Sequence, residues 1–285
     1  MTDERAEPGP ILVDRPIEGV SRITLYRPEK RNAISTGMRT ELLRALQAND
    51  GDADVRVTVI RGAGGCFSAG YDLSGGLMDD PPFHTAPGDG AWSRHVSDCW
   101  FALWDLAKPV IAQVHGYAIA GATELAQACD LVYVADDARI GYPIVRVASP
   151  PDWQYHMPLL GVRRALEIML TGDDLSGAEA AAIGWANRAF PAALLEDAVL
   201  DIAERVAGVE SDLAQINKRL VYRQAEVMGV RAAIRAGSDL QALAGHQRSV
   251  QAFREDPLGT MKRHNAADAA RSARAASRAP AAPTD

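Results

Sequence analysis

The stretch from residue 20 to about residue 145 alternates short apolar, β-branched runs with segments of helical periodicity. The run "VRVTVIRG", residues 55–62, has the length and apolar content of a buried strand. Before it, Met38, Leu42 and Leu46 recur at helical spacing, with Ser35 or Thr36 as a candidate N-cap. Because strands that alternate with helices build a sheet covered by those helices, the sequence predicts an α/β core.

The chain divides by composition into four predicted regions. Residues 1–10 are acidic and proline-bearing and are expected to form a flexible arm, whereas residues 11–200 form the α/β core. Residues 201–265 are helical in pattern and predict a helical appendage. The alanine-rich residues 266–285 have no apolar face to bury, so we expect a disordered tail. Within the core, residues 74–92 are rich in Gly, Pro and Asp and are predicted to form a mobile lid.

Composition and charge disfavour several classes of function. With 285 residues, 47% of them hydrophobic, the chain can bury a large core. Its net charge of −7 argues against a nucleic-acid surface. The sequence has no uninterrupted run of about 18 apolar residues, so we expect a cytoplasmic protein without membrane contacts. Cys66, Cys99 and Cys129 form no C-x-x-C pair, which predicts reduced thiols and no metal site.

Two turns that contain glycine follow predicted strands: "CFSAGYDLSG", residues 66–75, and "HGYAIAGATELA", residues 115–126. Their small residues allow another molecule to approach exposed backbone N–H groups. Two such groups directed at one point form an oxyanion hole, which stabilises negative charge that develops on a carbonyl oxygen. Neither turn has the lysine of a phosphate loop or a G-x-G-x-x-G pattern, so nucleotide binding is disfavoured.

Four motifs together carry a resemblance to a known family: "RPEKRNAIS", "CFSAGYDL", "KPVIAQVHGYAIAGATELAQACDLVYVADDARIGYP" and "LTGDDLSGAEAAAIGWANRAFP". With them, residues 20–265 resemble the crotonase superfamily, the enoyl-CoA hydratase/isomerase fold. The resemblance implies a core of repeated ββα units in two roughly perpendicular sheets, and a C-terminal helical region that mediates trimerisation. It implies an acyl-CoA substrate whose thioester carbonyl is held by the N–H groups of Tyr71 and Gly121. A homotrimer, or a homohexamer of two trimers, is the expected assembly.

The resemblance assigns an acid/base role to Glu124, which lies three residues after Gly121. In the family, this position supplies one of two carboxylates that position water or move protons near the α and β carbons of the substrate. At a helix start beside an apolar pocket, desolvation raises the pKa of a glutamate and the helix dipole lowers it. The alternative is that Glu124 only complements the helix dipole.

The second carboxylate of the family is absent from its usual position, where this sequence has Ile144. Isoleucine can neither orient water nor exchange a proton, so the mechanism with two glutamates is not intact. Asp152 occupies the position of a nucleophilic aspartate in dehalogenase relatives and is a candidate replacement. On a helix beginning near residue 152, His156 would share a face with it. The alternative is that Asp152 caps that helix.

The remaining candidate residues would bind the substrate. We expect the acyl group to contact Ala69, Ile144, Trp153 and His156, and the ring of Tyr71 to shape the pocket or present its hydroxyl group. The tryptophans, however, fit core packing equally well. The phosphates of CoA need cations, for which Arg27, Lys30 and Arg31 are the candidates, and the basic residues near position 264 could serve a neighbouring subunit.

These observations predict an enzyme of the enoyl-CoA hydratase/isomerase type that stabilises a thioester enolate and uses Glu124 as acid/base, without a metal or redox cofactor. An isomerase is one alternative, because moving one proton between two carbons needs a single carboxylate. Displacement or hydrolysis is another, with Asp152 as the nucleophile or the activator of water and His156 assisting. The non-enzymatic alternative is a CoA-binding subunit with a decayed site, which Ile144 favours and Glu124 disfavours.

Overall fold

The structure, a computed structural model, describes residues 9–74, 88–148 and 150–276. Its strands are β1 (Ile11–Ile17), β2 (Gly19–Leu25), β3 (Val55–Gly62), β4 (Val110–Val114), β5 (Tyr117–Ile119), β6 (Leu131–Ala135), β7 (Arg139–Gly141), β8 (Leu175–Ser176) and β9 (Arg188–Phe190). Its helices are α1 (Thr36–Gly51), α2 (Ala91–Asp105), α3 (Gly121–Ala128), α4 (His156–Thr171), α5 (Gly177–Ala182), α6 (Leu195–Ala207), α7 (Ser211–Val227), α8 (Val230–Ala244), α9 (Arg248–Glu255) and α10 (Pro257–Ala276).

Within the described residues, the strands form two sheets. The larger has the order β1-β2-β3-β4-β6-β9, and the smaller has the order β5-β7-β8. The first two strands are antiparallel, and the larger sheet is parallel from β2 onward. Every residue of β4 is buried, as expected for a parallel strand covered on both faces. The predicted α/β core is confirmed.

The N-terminal part of the core begins with a hairpin, and the predicted N-cap of α1 is confirmed. The chain reverses at Glu18 and Gly19 between two antiparallel strands, and Gly19 adopts a φ of 74°. At the start of α1, the side chain of Ser35 accepts a hydrogen bond of 3.1 Å from the Met38 N–H, so Ser35 is the N-cap. This cap satisfies one of the backbone donors that a helix start leaves unpaired.

Two helices bring the site to the middle of the core. The first of them, α2, runs from Ala91 to Asp105. Its buried face includes Trp100, Phe101 and Trp104. The short helix α3 is buried along its whole length, and its first turn carries Glu124. A carboxyl group in that turn is therefore withdrawn from water.

The C-terminal region differs in part from its predicted boundaries. Helix α6 crosses the predicted boundary at residue 200 and packs Leu195 and Val199 against the larger sheet, so it belongs to the core. Helix α10 contains residues 266–276, where the sequence predicted a disordered tail. Residues 277–285 lie outside the described residues, as do residues 75–87 of the predicted lid and residues 1–8 of the predicted arm. Of the helices described, none has the length and apolar content to cross a membrane.

Candidate active site

The two turns singled out in the sequence lie against each other. The N–H of Ile119 donates to the carbonyl oxygen of Ser68 at 3.2 Å, and the N–H of Ser68 donates to that of Tyr117 at 3.2 Å. Gly70 has a φ of 90°, and a Cβ atom there would lie 2.6 Å from the Ile119 oxygen and 3.1 Å from the Gly121 nitrogen. Only glycine permits this approach, so Gly70 brings the first turn onto the start of α3.

The backbone N–H groups of Tyr71 and Gly121 are unpaired in the described part of the chain. Neither donates to a protein acceptor among the described residues. Gly121 opens α3, where the first N–H groups have no intrahelical partner. The preceding Ala120 holds an unusual backbone conformation, with φ 52° and ψ −125°, and its N–H donates to the Gly141 oxygen at 2.9 Å. Such strain in a non-glycine residue is typical of functional turns.

Glu124 lies beside this turn and is 1% exposed. The Tyr71 hydroxyl donates to its Oε2 at 2.7 Å, the Asp152 N–H donates to its Oε1 at 3.2 Å, and the Tyr142 hydroxyl is a further partner. Burial, followed by repulsion from Asp152, raises the pKa of Glu124 to about 8, against the lowering effect of these hydrogen bonds. The side chain of Glu124 is therefore mostly protonated at neutral pH.

Asp152 is the second buried carboxyl group of the site and is 4% exposed. The Ser93 hydroxyl donates to its Oδ1 at 2.7 Å, and the Trp92 indole N–H donates to its Oδ2 at 3.1 Å. Burial raises its pKa to about 6, although the hydrogen bonds from Ser93 and Trp92 oppose the rise. Asp152 is therefore mostly ionised at the pH where Glu124 is mostly protonated.

The prediction of a helix beginning near residue 152 is wrong. Helix α4 begins at His156, and Tyr155, its N-cap residue, makes no side-chain capping bond. Asp152 is not a helix cap, because both of its carboxylate oxygens bind side chains of α2. His156 is buried, its Nδ1 has no hydrogen-bond partner in the described part of the chain, and burial lowers its pKa to about 4. Among the described contacts, none joins His156 to Asp152, so the predicted pair on one helix face is not formed.

The side chain of Tyr71 occupies the space between the two turns. A Cβ atom on Gly121 would lie 2.5 Å from its ring, so the phenol packs directly on the start of α3. The Trp100 indole N–H donates to the Tyr71 hydroxyl at 3.0 Å, and the Trp92 ring meets the phenol edge-on at 5.5 Å between centroids. Burial raises the pKa of Tyr71 well above its usual value, which keeps the hydroxyl protonated as a donor.

The other residues predicted to contact the acyl group differ in their surroundings. Ile144 is partly buried in the 3₁₀ helix Pro143–Arg146. Ala69 is partly buried and donates its N–H to the Arg31 oxygen at 3.0 Å. Trp153 is fully buried and packs edge-on against Phe101 and Trp104, which supports its alternative interpretation as a core residue.

The residues predicted to bind CoA phosphates also have different surroundings. Arg27 forms an ion pair of 2.8 Å with Asp72 and fastens the turn that contains Tyr71. Lys30 is half-exposed and donates to the Ser74 hydroxyl at 3.1 Å. Arg31 lines a groove of about 1250 Å³, which α10 also borders through residue 264 of the same chain. Of the predicted cations, Arg31 and Lys30 are therefore the accessible ones.

Several residues of the site were not found from the sequence. Ser93 and Tyr142 reach the two carboxyl groups from elements distant in sequence, and no local pattern indicates these contacts. Arg39 could have been found, because its spacing from Leu42 and Leu46 places it on the buried face of α1.

In the described residues, no cluster of three or more His, Cys, Asp or Glu side chains is arranged to hold a metal ion.

Comparisons with known proteins place the chain among related sequences and structures. A family model described as enoyl-CoA hydratase/isomerase matches residues 16–259. A putative enoyl-CoA hydratase of Mycobacterium tuberculosis is 34% identical over 242 residues, covering 75% of this chain and 74% of the relative. The crystal structure of an enoyl-CoA hydratase/isomerase from Xanthobacter autotrophicus Py2 superposes with a TM-score of 0.79 at 32% identity, covering 95% of this chain and 99% of that one. An enoyl-CoA hydratase from Mycobacterium smegmatis gives a TM-score of 0.77 at 29% identity, with coverages of 87% and 94%.

Proposed function

The chain belongs to the enoyl-CoA hydratase/isomerase family, a family of enzymes, and on that premise we propose that it hydrates the double bond of an enoyl-CoA thioester. The observation that carries the proposal is the pair of free N–H groups, on Tyr71 and Gly121, beside a protonated Glu124. Both groups would donate to the thioester oxygen and stabilise the enolate that forms when a nucleophile adds to the β carbon.

The two carboxyl groups divide the proton transfers between them. Where environments push the pKa values of two groups apart, the group with the higher pKa is suited to act as the acid and the other as the base. Asp152, mostly ionised, takes a proton from water as the water oxygen bonds to the β carbon. Glu124, mostly protonated, gives its proton to the α carbon as the enolate collapses. Asp152 thus replaces the family carboxylate that is missing at Ile144, and no metal or redox cofactor takes part in these steps.

Isomerisation is the second candidate reaction, and the residue at position 144 favours it. A single carboxylate can remove a proton from one carbon and return it to another, and Ile144 offers no second group. Both reactions use the same oxyanion hole, so the role of Asp152 distinguishes them.

The distinguishing experiment uses Asp152→Asn with 2-butenoyl-CoA and 3-butenoyl-CoA as substrates. For a hydratase we expect the wild-type protein to hydrate the short 2-enoyl thioester weakly but measurably. In Asp152→Asn, we expect that rate to fall by roughly 10²- to 10⁴-fold relative to wild type. The control is Asp105→Asn, an exposed aspartate that pairs with Arg231 far from the site. Isomerisation of 3-butenoyl-CoA that survives Asp152→Asn assigns the isomerase reaction. Efficient hydration by the variant contradicts the role of Asp152.

We also propose that the protein assembles as a homotrimer or as a hexamer of two trimers. Helix α7 presents Leu213, Ile216 and Leu220 to solvent with between 52% and 60% of each residue exposed. An apolar stripe of this kind is typical of a surface that another subunit covers. Sedimentation is the test, and a stable monomer at micromolar concentration contradicts the proposal.

A further inference from the structure

Arg39 is a buried cation whose hydrogen-bonding capacity is largely unused. The residue is 1% exposed, and its Nη2 donates to the Thr36 hydroxyl at 3.2 Å. Its Nε and Nη1 have no hydrogen-bond partner among the described residues. Buried guanidinium groups ordinarily pair all or most of their donors, because an unpaired buried charge is costly. The unused donors of Arg39 therefore indicate a missing acceptor.

The guanidinium group lies next to the candidate active site. Its Cζ atom is 4.7 Å from the centroid of the Trp92 ring and 5.6 Å from that of the Tyr71 ring. Those two side chains in turn bind the carboxyl groups, Trp92 that of Asp152 and Tyr71 that of Glu124. Within the described residues, Arg39 forms no ion pair with either carboxyl group. The cation is thus one ring away from the reacting groups: its charge lowers the pKa of Asp152, but no carboxylate oxygen is within ion-pair distance of it among the described residues.

Two lysines with buried side chains, in contrast to Arg39, have an ionic or carbonyl oxygen partner. Lys218 forms an ion pair of 2.9 Å with Asp130. Lys108 donates to the carbonyl oxygen of Asn49 at 2.9 Å. These two ammonium groups have an ionic or carbonyl oxygen partner, whereas the Thr36 hydroxyl is the one oxygen acceptor of Arg39 among the described residues.

We propose that Arg39 binds a carboxylate at the far end of the acyl chain, so that the preferred substrates are CoA thioesters of dicarboxylic acids. The inference rests on the proposed function, because it takes the thioester end of the chain to lie at the Tyr71 and Gly121 N–H groups. The side chain of Tyr71 links the two positions, because its backbone N–H would hold the thioester oxygen and its ring centroid lies 5.6 Å from the Cζ atom of Arg39. We choose a five-carbon dicarboxylic acyl group as the probe. Its carboxylate would accept hydrogen bonds from the unused donors and neutralise the buried cation.

The experiment measures binding of two unreactive thioesters of equal chain length, glutaryl-CoA and pentanoyl-CoA, by titration calorimetry. They differ by a terminal carboxylate in place of a methyl group. We expect the wild-type protein to bind glutaryl-CoA more tightly. In Arg39→Met, we expect affinity for glutaryl-CoA to fall by about 30-fold or more, as for truncation of one member of a buried charge pair, while affinity for pentanoyl-CoA stays the same.

Arg44→Met is the matched control, because it makes the same substitution on the same helix at a side chain that is 68% exposed and pairs with Glu41. We expect this control to bind both thioesters as the wild type does. Equal wild-type affinity for the two ligands overturns the inference, and this comparison needs no variant to fold. Equal weakening of both ligands in Arg39→Met also overturns it and assigns Arg39 to packing. If the wild type binds neither thioester, the proposed function itself fails.

Discussion

The two ends of helix α3 each carry a carboxyl group withdrawn from water, yet the surroundings of the two groups are opposite. After the last turn, Asp130 forms an ion pair of 2.9 Å with Lys218 and accepts a hydrogen bond of 2.7 Å from the Tyr222 hydroxyl. In the first turn, Glu124 accepts a bond of 2.7 Å from the Tyr71 hydroxyl and forms no ion pair within the described residues. One end of the helix holds a neutralised charge, and the other end holds a proton.

The difference separates an ion-paired carboxyl group from one that has the properties the proposed reaction needs. Burial raises the pKa of both groups. At Asp130, the attraction of Lys218 opposes that rise. At Glu124, repulsion from Asp152 adds to it. A group poised between two protonation states near neutral pH can transfer a proton, whereas a paired group is held in one state.

The largest expected effect is on turnover when Glu124 is changed to Gln. The substitution keeps the shape and removes the proton that the proposed reaction transfers, so we expect turnover to fall by about 10²- to 10⁴-fold. The free energy of unfolding should not fall, because glutamine needs no buried charge. Steady-state kinetics with thermal unfolding measures both. Asp130→Asn serves as the control at the other end of α3 and should reduce stability more than turnover per folded molecule. Unchanged turnover in Glu124→Gln contradicts the proposed role of Glu124 as the proton donor.

The second effect concerns the structural end of the helix. Lys218→Met leaves Asp130 buried without a cation, and breaking a buried pair from one side typically costs about 3–5 kcal/mol. We expect a loss of that size in urea unfolding. Adding Asp130→Asn to Lys218→Met should restore part of the stability, because the unpaired charge is then absent. A surface ion pair is worth at most about 1 kcal/mol. If Lys218→Met lowers the free energy of unfolding by less than that, the ion pair does not hold this end of α3.

The third effect is a dependence of stability on pH that comes from the Glu124 end of the helix. The folded protein keeps the Glu124 proton up to a pKa of about 8, whereas an unperturbed glutamate has a pKa of 4.5. Between these values the folded state binds more protons, so this group makes wild-type stability fall as pH rises, by at most roughly 1.4 kcal/mol per pH unit. The stability of Glu124→Gln relative to wild type should therefore increase over this window and level off above it. A constant difference between the two proteins from pH 5 to pH 8 contradicts the raised pKa.

The smallest effect tests the backbone just before the Glu124 end of the helix. Ala120 has a φ of 52° and a ψ of −125°, a conformation that glycine adopts without a Cβ penalty. Ala120→Gly should relieve strain worth about 1–3 kcal/mol but increase the entropy of the unfolded chain, for a net gain of about 1 kcal/mol or less. Thermal unfolding measures the change. Destabilisation by the substitution shows that the turn before α3 is not strained.

The sequence predicts those parts of the molecule whose structure is determined by residues close together in the chain. The Ser35 cap and the two glycine turns are fixed by neighbouring residues, and Glu124 follows from its motif. The start of α4 was misplaced because Asp152 is engaged by Ser93, which lies 59 positions earlier in the chain. A contact over such a separation leaves no periodicity to detect. The helical residues 266–276 were missed because their composition, without a clear apolar face, indicated disorder.

Residues that complete the site come late in the chain. The site can therefore form only near the end of synthesis. Lys218 reaches Asp130 from α7, and the Ser238 hydroxyl donates to the main-chain oxygen of Asp152 at 2.9 Å from α8. Chains are made from the N-terminus at about 5–20 residues per second, so several seconds separate the appearance of Asp152 from that of Lys218 and Ser238. During that interval, the nascent polypeptide carries every side chain proposed for the chemistry while Asp130 and Asp152 lack those partners. A working site is therefore among the last features that a newly made molecule acquires.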